Sequence, residues 1–384
     1  MFIRQISDYV LKISSQYPVI TLTGPRQSGK TTLVKTIFPQ KPYVSLENPD
    51  VRAHAEDDPR GFLKKYENGA IFDEIQRAPN IPSYLQSMVD ENREPGRFVL
   101  TGSQQFSLSA QISQSLAGRT AMVRLLPLSL AELSSQNSTL DQLLFSGMYP
   151  AIHDKKLDVS DYYANYLETY VERDLRQLAN VGDLHLFHKF LGCLAARVGS
   201  LLNMSNLSND VGVSMPTIQR WISILEAGYI VFLLQPFHKN ISKRLIKTPK
   251  VYFYDTGLLS YLLKISTHDA LATHQMRGPV FENFVILEIM KNSLNIGKRP
   301  QLLFFRTQSG DEVDLIVEEE KGLTAVEIKS SLTWDKSFLK GLNVFSDLFG
   351  QEINRKVVVF AGEENFVIAD SSVMSWDQIR FESK

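Results

Sequence analysis

The stretch Gly24 to Thr32, GPRQSGKTT, combines residue types and spacing suited to holding phosphate. In Gly24-x4-Gly29-Lys30-Thr31 the glycines free the backbone to aim N–H groups at an anion, Lys30 brings a cation to the β and γ phosphates, and Thr31 offers a hydroxyl to Mg2+. The whole run Gly24, Pro25, Arg26, Gln27, Ser28, Gly29, Lys30, Thr31 and Thr32 is expected to surround the phosphates of ATP. Asp73 closes the apolar run Gly69-Ala70-Ile71-Phe72, where it can hold the magnesium through water. Glu74, the next residue, can orient and polarise an attacking water. After a third apolar run, Arg97-Phe98-Val99-Leu100, Ser103 or Gln104 can bond the γ-phosphate or that water; an ordinary polar loop after a buried strand is the other open reading. Arg119, in SLAGRT, carries two readings as well: a finger acting across a subunit boundary on transition-state charge, or a structural salt bridge.

A second constellation lies near the C-terminus, at Asp314 in GDEVDLIV and Glu327-Ile328-Lys329 in LTAVEIKSS. Two strands joined by an acidic turn bring both carboxylates to one edge. Such a pair can hold Mg2+, while Lys329, two residues after Glu327 and so on the same strand face, stabilises charge or positions water.

The elements that must position these residues follow from apolar periodicity. Val19 onward reads as a β-branched strand, a glycine turn and a helix with Leu33, Val34 and Ile37 inward. The runs ending at Asp73 and Gly102 read as further buried parallel strands, so a doubly wound α/β domain is expected with its active residues at the strands' carboxyl ends. Gly147 and Pro150 punctuate a turn that closes this unit. A tyrosine-rich helix follows, with Tyr163, Leu167, Val171 and Leu175 on one core-facing stripe.

Between Asn203 and Phe253 the pattern is that of a winged helix-turn-helix. A short helix turns at Gly212, Ser214 caps the next helix, and Ile218, Trp221, Ile222 and Leu225 face inward, leaving Gln219 and Arg220 outward. Two strand-like runs then flank HKNISKRLIKTP, where Lys239, Lys243, Arg244, Lys247 and Lys250 have no acidic neighbour in sequence. With Gln219 and Arg220, the cations Lys243, Arg244 and Lys247 are expected to grip nucleic-acid phosphates. A helix over Val280–Lys291 and four strands make the last third a small α/β unit. The expected domains are residues 1–155, 156–265 and 266–384.

The chain has 384 residues, 43% hydrophobic and 22% charged, which fits folded domains and not a disordered chain. A formal net charge of −1 gives no global basic field, so nucleic-acid contact must rest on local clusters. Cys193 is the lone cysteine, which excludes an internal disulfide framework and a cysteine zinc site. The start of the chain lacks the unbroken apolar core of a signal peptide, and no membrane span is expected; a cytoplasmic location is.

The order Gly24–Thr32, Asp73-Glu74-Ile75-Gln76, Thr101-Gly102-Ser103-Gln104, Ser115 to Arg119 and Gly147-Met148-Tyr149-Pro150 resembles a group of bacterial and archaeal AAA+ ATPases. In that group a P-loop core is fused to a winged-helix segment and a C-terminal domain similar to PD-(D/E)xK nucleases. YVERDL, at Tyr170 to Leu175, looks like the group's entry into its second half. The resemblance implies a homo-oligomer such as a ring, each site finished by a neighbour, ATP and Mg2+ as cofactors, and DNA as partner. It also implies a metal role for Glu282, which matches an extra acidic residue that some of those nucleases use. Metal-dependent cleavage, junction remodelling without cleavage, and a nucleotide-switched signalling role binding protein partners all remain open at this point.

Overall fold

The computed structural model describes residues 2–103, 115–133, 138–171, 184–237, 247–299 and 301–379. Its N-terminal sheet has five parallel strands, β1 (Val19–Thr23), β2 (Tyr43–Ser45), β3 (Ala70–Asp73), β4 (Phe98–Gly102) and β5 (Thr120–Arg124), in the order β2-β3-β4-β1-β5. Strands β1, β3 and β4 are buried along their whole length, as a sheet covered by helices on both faces requires. Alternate residues of β1 serve opposite cores. Val19 packs with Phe62, Phe72 and Phe98, whereas Ile20 and Leu22 pack with Ile6, Leu33 and Val34. This alternation fixes the register and brings the ends of β1, β3 and β4 to one edge.

The second sheet has eight strands in the order β12-β13-β11-β10-β9-β8-β6-β7. Its members are β6 (Val231–Pro236), β7 (Lys250–Phe253), β8 (Gln301–Arg306), β9 (Glu312–Glu319), β10 (Gly322–Lys329), β11 (Ile353–Phe360), β12 (Phe366–Ile368) and β13 (Ser371–Ser375). Parallel and antiparallel pairs are mixed. The antiparallel ribbon β6–β7 joins the C-terminal strands through β6 and β8, where Gln235 sits opposite Leu303. One apolar core runs from Leu126 through Trp221 and Phe284 to Ile328, so the middle and last thirds of the chain solidify together.

The helix Met215–Ala227 shows how local sequence sets this packing. Ser214 caps it through the Thr217 N–H at 3.4 Å, and Gly212 before it holds a left-handed φ of 89°. Ile218, Trp221, Ile222 and Leu225 are buried, and Trp221 meets Phe187 edge-on at 5.4 Å between ring centroids. Trp221→Ala would cost about 3–5 kcal/mol by emptying that contact. The helix Val159–Tyr166 buries Tyr162, Tyr163 and Tyr166, with Leu167 next to them; the expected stripe positions Val171 and Leu175 have no described side chains.

Contacts between buried groups clamp the P-loop half to the rest. The Tyr229 hydroxyl donates to Thr23 Oγ1 at 2.9 Å, Lys291 Nζ donates to the Leu128 carbonyl at 2.8 Å, and the Leu130 N–H donates to Glu288 at 2.8 Å. Thr23 is the residue just before the loop. Among the described residues no helix is long and apolar enough to cross a membrane.

Candidate functional site

Strand β1 ends at Thr23 and the chain turns at Gly24, whose φ is 149°. A Cβ there would lie 2.0 Å from the Leu125 carbonyl oxygen, so glycine is required. Gln27 (φ 62°) and Gly29 (φ 94°) are also left-handed, the geometry that folds successive amides into a concave anion-binding surface. Gly29 starts the helix Lys30–Ile37, whose N-terminal dipole adds to that field.

Lys30 is 5% exposed, and its Nζ donates to the Gly24 and Pro25 carbonyl oxygens at 3.0 and 2.8 Å. Burial pulls its pKa down to about 8, against the opposing pull of Glu74 and Asp73. Thr31 Oγ1 donates to Asp73 Oδ2 at 3.0 Å, and the Tyr43 hydroxyl donates to the same oxygen at 2.5 Å. Thr101 Oγ1 bonds the other carboxylate oxygen. A hydroxyl and a carboxylate are the hard oxygen donors that Mg2+ takes, so Thr31 and Asp73 fit that ion at the edge of the phosphate loop.

Glu74 follows with φ 57°, which turns it out of strand register. Its Oε2 accepts from Ser103 Oγ at 3.1 Å and from the Gln76 side-chain amide. Ser103 thus reaches the candidate base. Gln104 lies outside the described residues. A cavity of ≈ 700 Å³ opens over Arg26, Gln27, Gly29, Lys30, Thr31, Thr32 and Glu74, walled on its apolar side by Phe2, Ile3, Leu128 and Pro150. That size suits a nucleotide.

Arg4 was not legible as a site residue. Its guanidinium donates to the Ser28 carbonyl at 2.7 Å and the Leu126 carbonyl at 2.7 Å, and pairs with buried Glu132 at 3.0 Å. It braces the loop from behind, and nothing in MFIRQIS announces a partner so far along the chain. Of the two readings of Arg119, the geometry supplies the salt bridge: both Nε and Nη2 sit 2.8 Å from Asp90 carboxylate oxygens.

The C-terminal constellation also comes together, with a composition the sequence did not suggest. The Ile328 N–H donates to Asp314 Oδ2 at 2.7 Å, and Lys329 Nζ pairs with Glu327 and lies 3.9 Å from Asp314. Lys250, expected to belong to an exposed basic cluster, is 2% exposed and carries its ammonium into this site, 3.1 Å from Glu282 and paired with Glu312. Its partners lie on the C-terminal elements, which a local charge count cannot see. Glu282 is held by Lys250 and the Tyr252 hydroxyl and does not stand free as a metal ligand. Among the described residues no group of three or more His, Cys, Asp or Glu side chains is arranged to hold a metal ion. Burial raises the Glu327 and Glu282 carboxyls above their usual range, with Asp314 adding to both and lysine opposing.

Gln219 and Arg220 are exposed on the helix Met215–Ala227, and Lys247 is exposed before β7. Lys239, Lys243, Arg244 and the YVERDL segment from Glu172 onward lie outside the described residues.

A family profile described as an AAA domain matches residues 16–134, and two profiles described as domains of unknown function, DUF8612 and DUF4143, match 137–269 and 277–379. An uncharacterized protein of Mycobacterium tuberculosis is 32% identical over 360 residues, covering 93% of this chain and 79% of its own. An uncharacterized protein of Haemophilus influenzae is 27% identical over 220 residues, 52% of this chain and 53% of its own. Among solved structures, a Walker-type ATPase of Pyrococcus abyssi superposes with a TM-score of 0.44 at 13% identity, over 67% of this chain and 94% of its own. The parallel sheet, the phosphate loop and the matched profile agree: this chain is an AAA-domain P-loop protein with a DUF4143 C-terminal domain, and it belongs to one family with the Mycobacterium tuberculosis protein.

Proposed function

We propose that this protein hydrolyses ATP with Mg2+ and uses the cycle to remodel DNA, without cutting it in the conformation described. The observation that carries the ATPase reading is Glu74, held by Ser103 beside Lys30 and the Thr31–Asp73 pair at the mouth of one cavity. Lys30 supplies positive charge to the β and γ phosphates, and Thr31 and Asp73 hold the Mg2+. Bound there, the ion neutralises charge on the phosphates. Glu74 accepts a proton from water, and Gln76 with Ser103 fixes the direction in which its carboxylate points. The adenine of ATP would lie against Phe2, Ile3 and Leu128, which wall the same cavity.

The DNA part rests on reading the helix pair Met204–Val211 and Met215–Ala227 with the β6–β7 ribbon as a winged helix. Gln219, Arg220, Lys243, Arg244 and Lys247 are the proposed phosphate and groove contacts. The working units are residues 1–155, 156–265 and 266–384, assembled as a homo-oligomer. Remodelling is preferred to cleavage because Lys250 and Lys329 already neutralise the carboxylates a catalytic metal would need.

The test is the ATPase rate of the purified protein alone and with single-stranded DNA, duplex DNA, four-way DNA and RNA, with the nucleic acids checked for cuts. Stimulation by DNA, with intact strands, is expected. A rate indifferent to every nucleic acid would transfer support to a nucleotide-switched protein that binds protein partners.

A further inference from the structure

We infer that Lys250 is the resident cation of the C-terminal carboxylate cluster, so that a divalent metal binds there only where the Lys250 ammonium is absent. The inference rests on reading Asp314, Glu327 and Lys329 as a nuclease-like constellation, and it adds what controls that constellation.

Charge is the first argument. Four carboxylates, Glu282, Glu312, Asp314 and Glu327, meet three cations, Lys250, Lys329 and Arg306. Arg306 lies 2.6 Å from Glu312, on the side of that carboxylate opposite the oxygen that takes Lys250. With the acids ionised this leaves one net negative charge, and a divalent ion would have to compete with the buried Lys250 ammonium for Glu282 and Glu312. Were Lys250 withdrawn, Glu282 and Glu312 would lose a shared partner at once and the cluster would become an acceptor for a cation.

Connectivity is the second argument. Lys250 belongs to neither C-terminal strand that carries the acids; it begins β7, the ribbon strand paired through Val231–Phe253 to Lys250–Leu234 with β6, which follows the helix bearing Gln219 and Arg220. The ribbon is held to the helix that carries Glu282, the Asn283 side chain bonding both the N–H and the carbonyl of Phe253, so the ammonium is fixed within the cluster. A third observation marks where a cation would go. Glu327 Oε2 is buried and has no hydrogen-bond partner, although Glu327 Oε1 is paired to Lys329. A buried acceptor left open in a site otherwise satisfied by charge is unused capacity for a cation or a proton.

The experiment uses the full chain, free of nucleotide, with Mn2+ as the probe. In the wild type, millimolar Mn2+ is expected to leave the thermal midpoint unmoved and to show no site that Glu327→Gln removes. Lys250→Met is expected to bind one Mn2+ per chain at least about tenfold more tightly than the wild type, a gain abolished by adding Glu327→Gln, because one repelling charge is gone. Lys250→Arg keeps the charge and should behave as the wild type. A wild-type site lost in Glu327→Gln, or a folded Lys250→Met protein that binds no better than its parent, overturns the inference. Should Lys250→Met not fold, the wild-type and Glu327→Gln titrations still decide it. DNA-stimulated ATP hydrolysis is read separately, so the proposed function and this inference can fail independently.

Discussion

The two ends of the molecule build sites from the same parts, a lysine and neighbouring carboxylates, and arrive at opposite electrostatic states. At the phosphate loop, Lys30 bonds two main-chain carbonyls among the described residues, and burial brings its pKa down to about 8. Its acids, Asp73 and Glu74, are held by neutral donors, Thr31, Tyr43, Thr101, Ser103 and Gln76. In the C-terminal cluster burial also pulls Lys250 and Lys329 down, but adjoining carboxylates overcome it and the net direction is up for both. At the first site the Lys30 ammonium is bonded to neutral carbonyls and no carboxylate among the described residues is paired with it, so it is free to take an anion. The second has answered its own charge. A lysine beside two acids therefore does not by itself declare an active site; what matters is whether its charge is still unanswered.

That contrast can be broken in several places. The largest effect is expected from Glu74→Gln, which should keep ATP binding and lower turnover by roughly 10²–10⁴, the range for removing a general base. Single-turnover hydrolysis at the parental rate would take Glu74 out of the chemistry. Next, Lys250→Met should cost about 1.5–3 kcal/mol in urea unfolding, since it takes a shared charged donor from the half-buried carboxylates of Glu282 and Glu312, while leaving ATP affinity where it was. A loss of ATP affinity with no loss of stability would reverse the roles assigned to the two lysines. Lys30→Ala should weaken ATP binding by ~100-fold, in line with about 2–5 kcal/mol for truncating one partner of a buried charge contact, with little change in unfolding.

Smaller effects sharpen the same comparison. The pKa of Lys30 is lowered from its ordinary value to about 8, so in the free protein its charge is present below that pH and lost above it. Bound phosphate favours the charged form, so ATP affinity should be level below about pH 8 and fall by roughly tenfold per pH unit beyond it. Calorimetry across that range checks the sign, and affinity that rises with pH would contradict it. Smallest of all, Arg119→Ala should leave stability nearly unchanged, because its pair with Asp90 is solvent-screened. A collapse of ATPase activity in that variant, with folding intact, would restore the reading of Arg119 as a finger.

Legibility in the sequence followed the distance over which each feature is built. The phosphate loop could be read because its glycines, lysine and threonine are contiguous, and Asp73-Glu74 because a buried strand ends there. Asp314, Glu327 and Lys329 were legible for the same reason, one hairpin holding all three. The helix Met215–Ala227 announced its cap, its buried face and its end at Gly228 through local chemistry alone. Lys250 misled because a count of neighbours in sequence found only cations, while its carboxylates stand on β9 and on the helix Arg277–Asn295. Arg4 was silent because its partners, Ser28, Leu126 and Glu132, are assembled by tertiary packing. The joining of β6 to β8 was equally hidden, since pairing between distant strands leaves no periodic mark on either.

The central claim is that one of these sites is waiting for charge and the other is not. The most direct measurement is the stoichiometry of Mn2+ bound by the full chain with a non-hydrolysable ATP analogue present. The account predicts a single ion per chain, absent without nucleotide and lost in Asp73→Asn. Two ions in the wild type, the second lost in Glu327→Gln and indifferent to nucleotide, would contradict it.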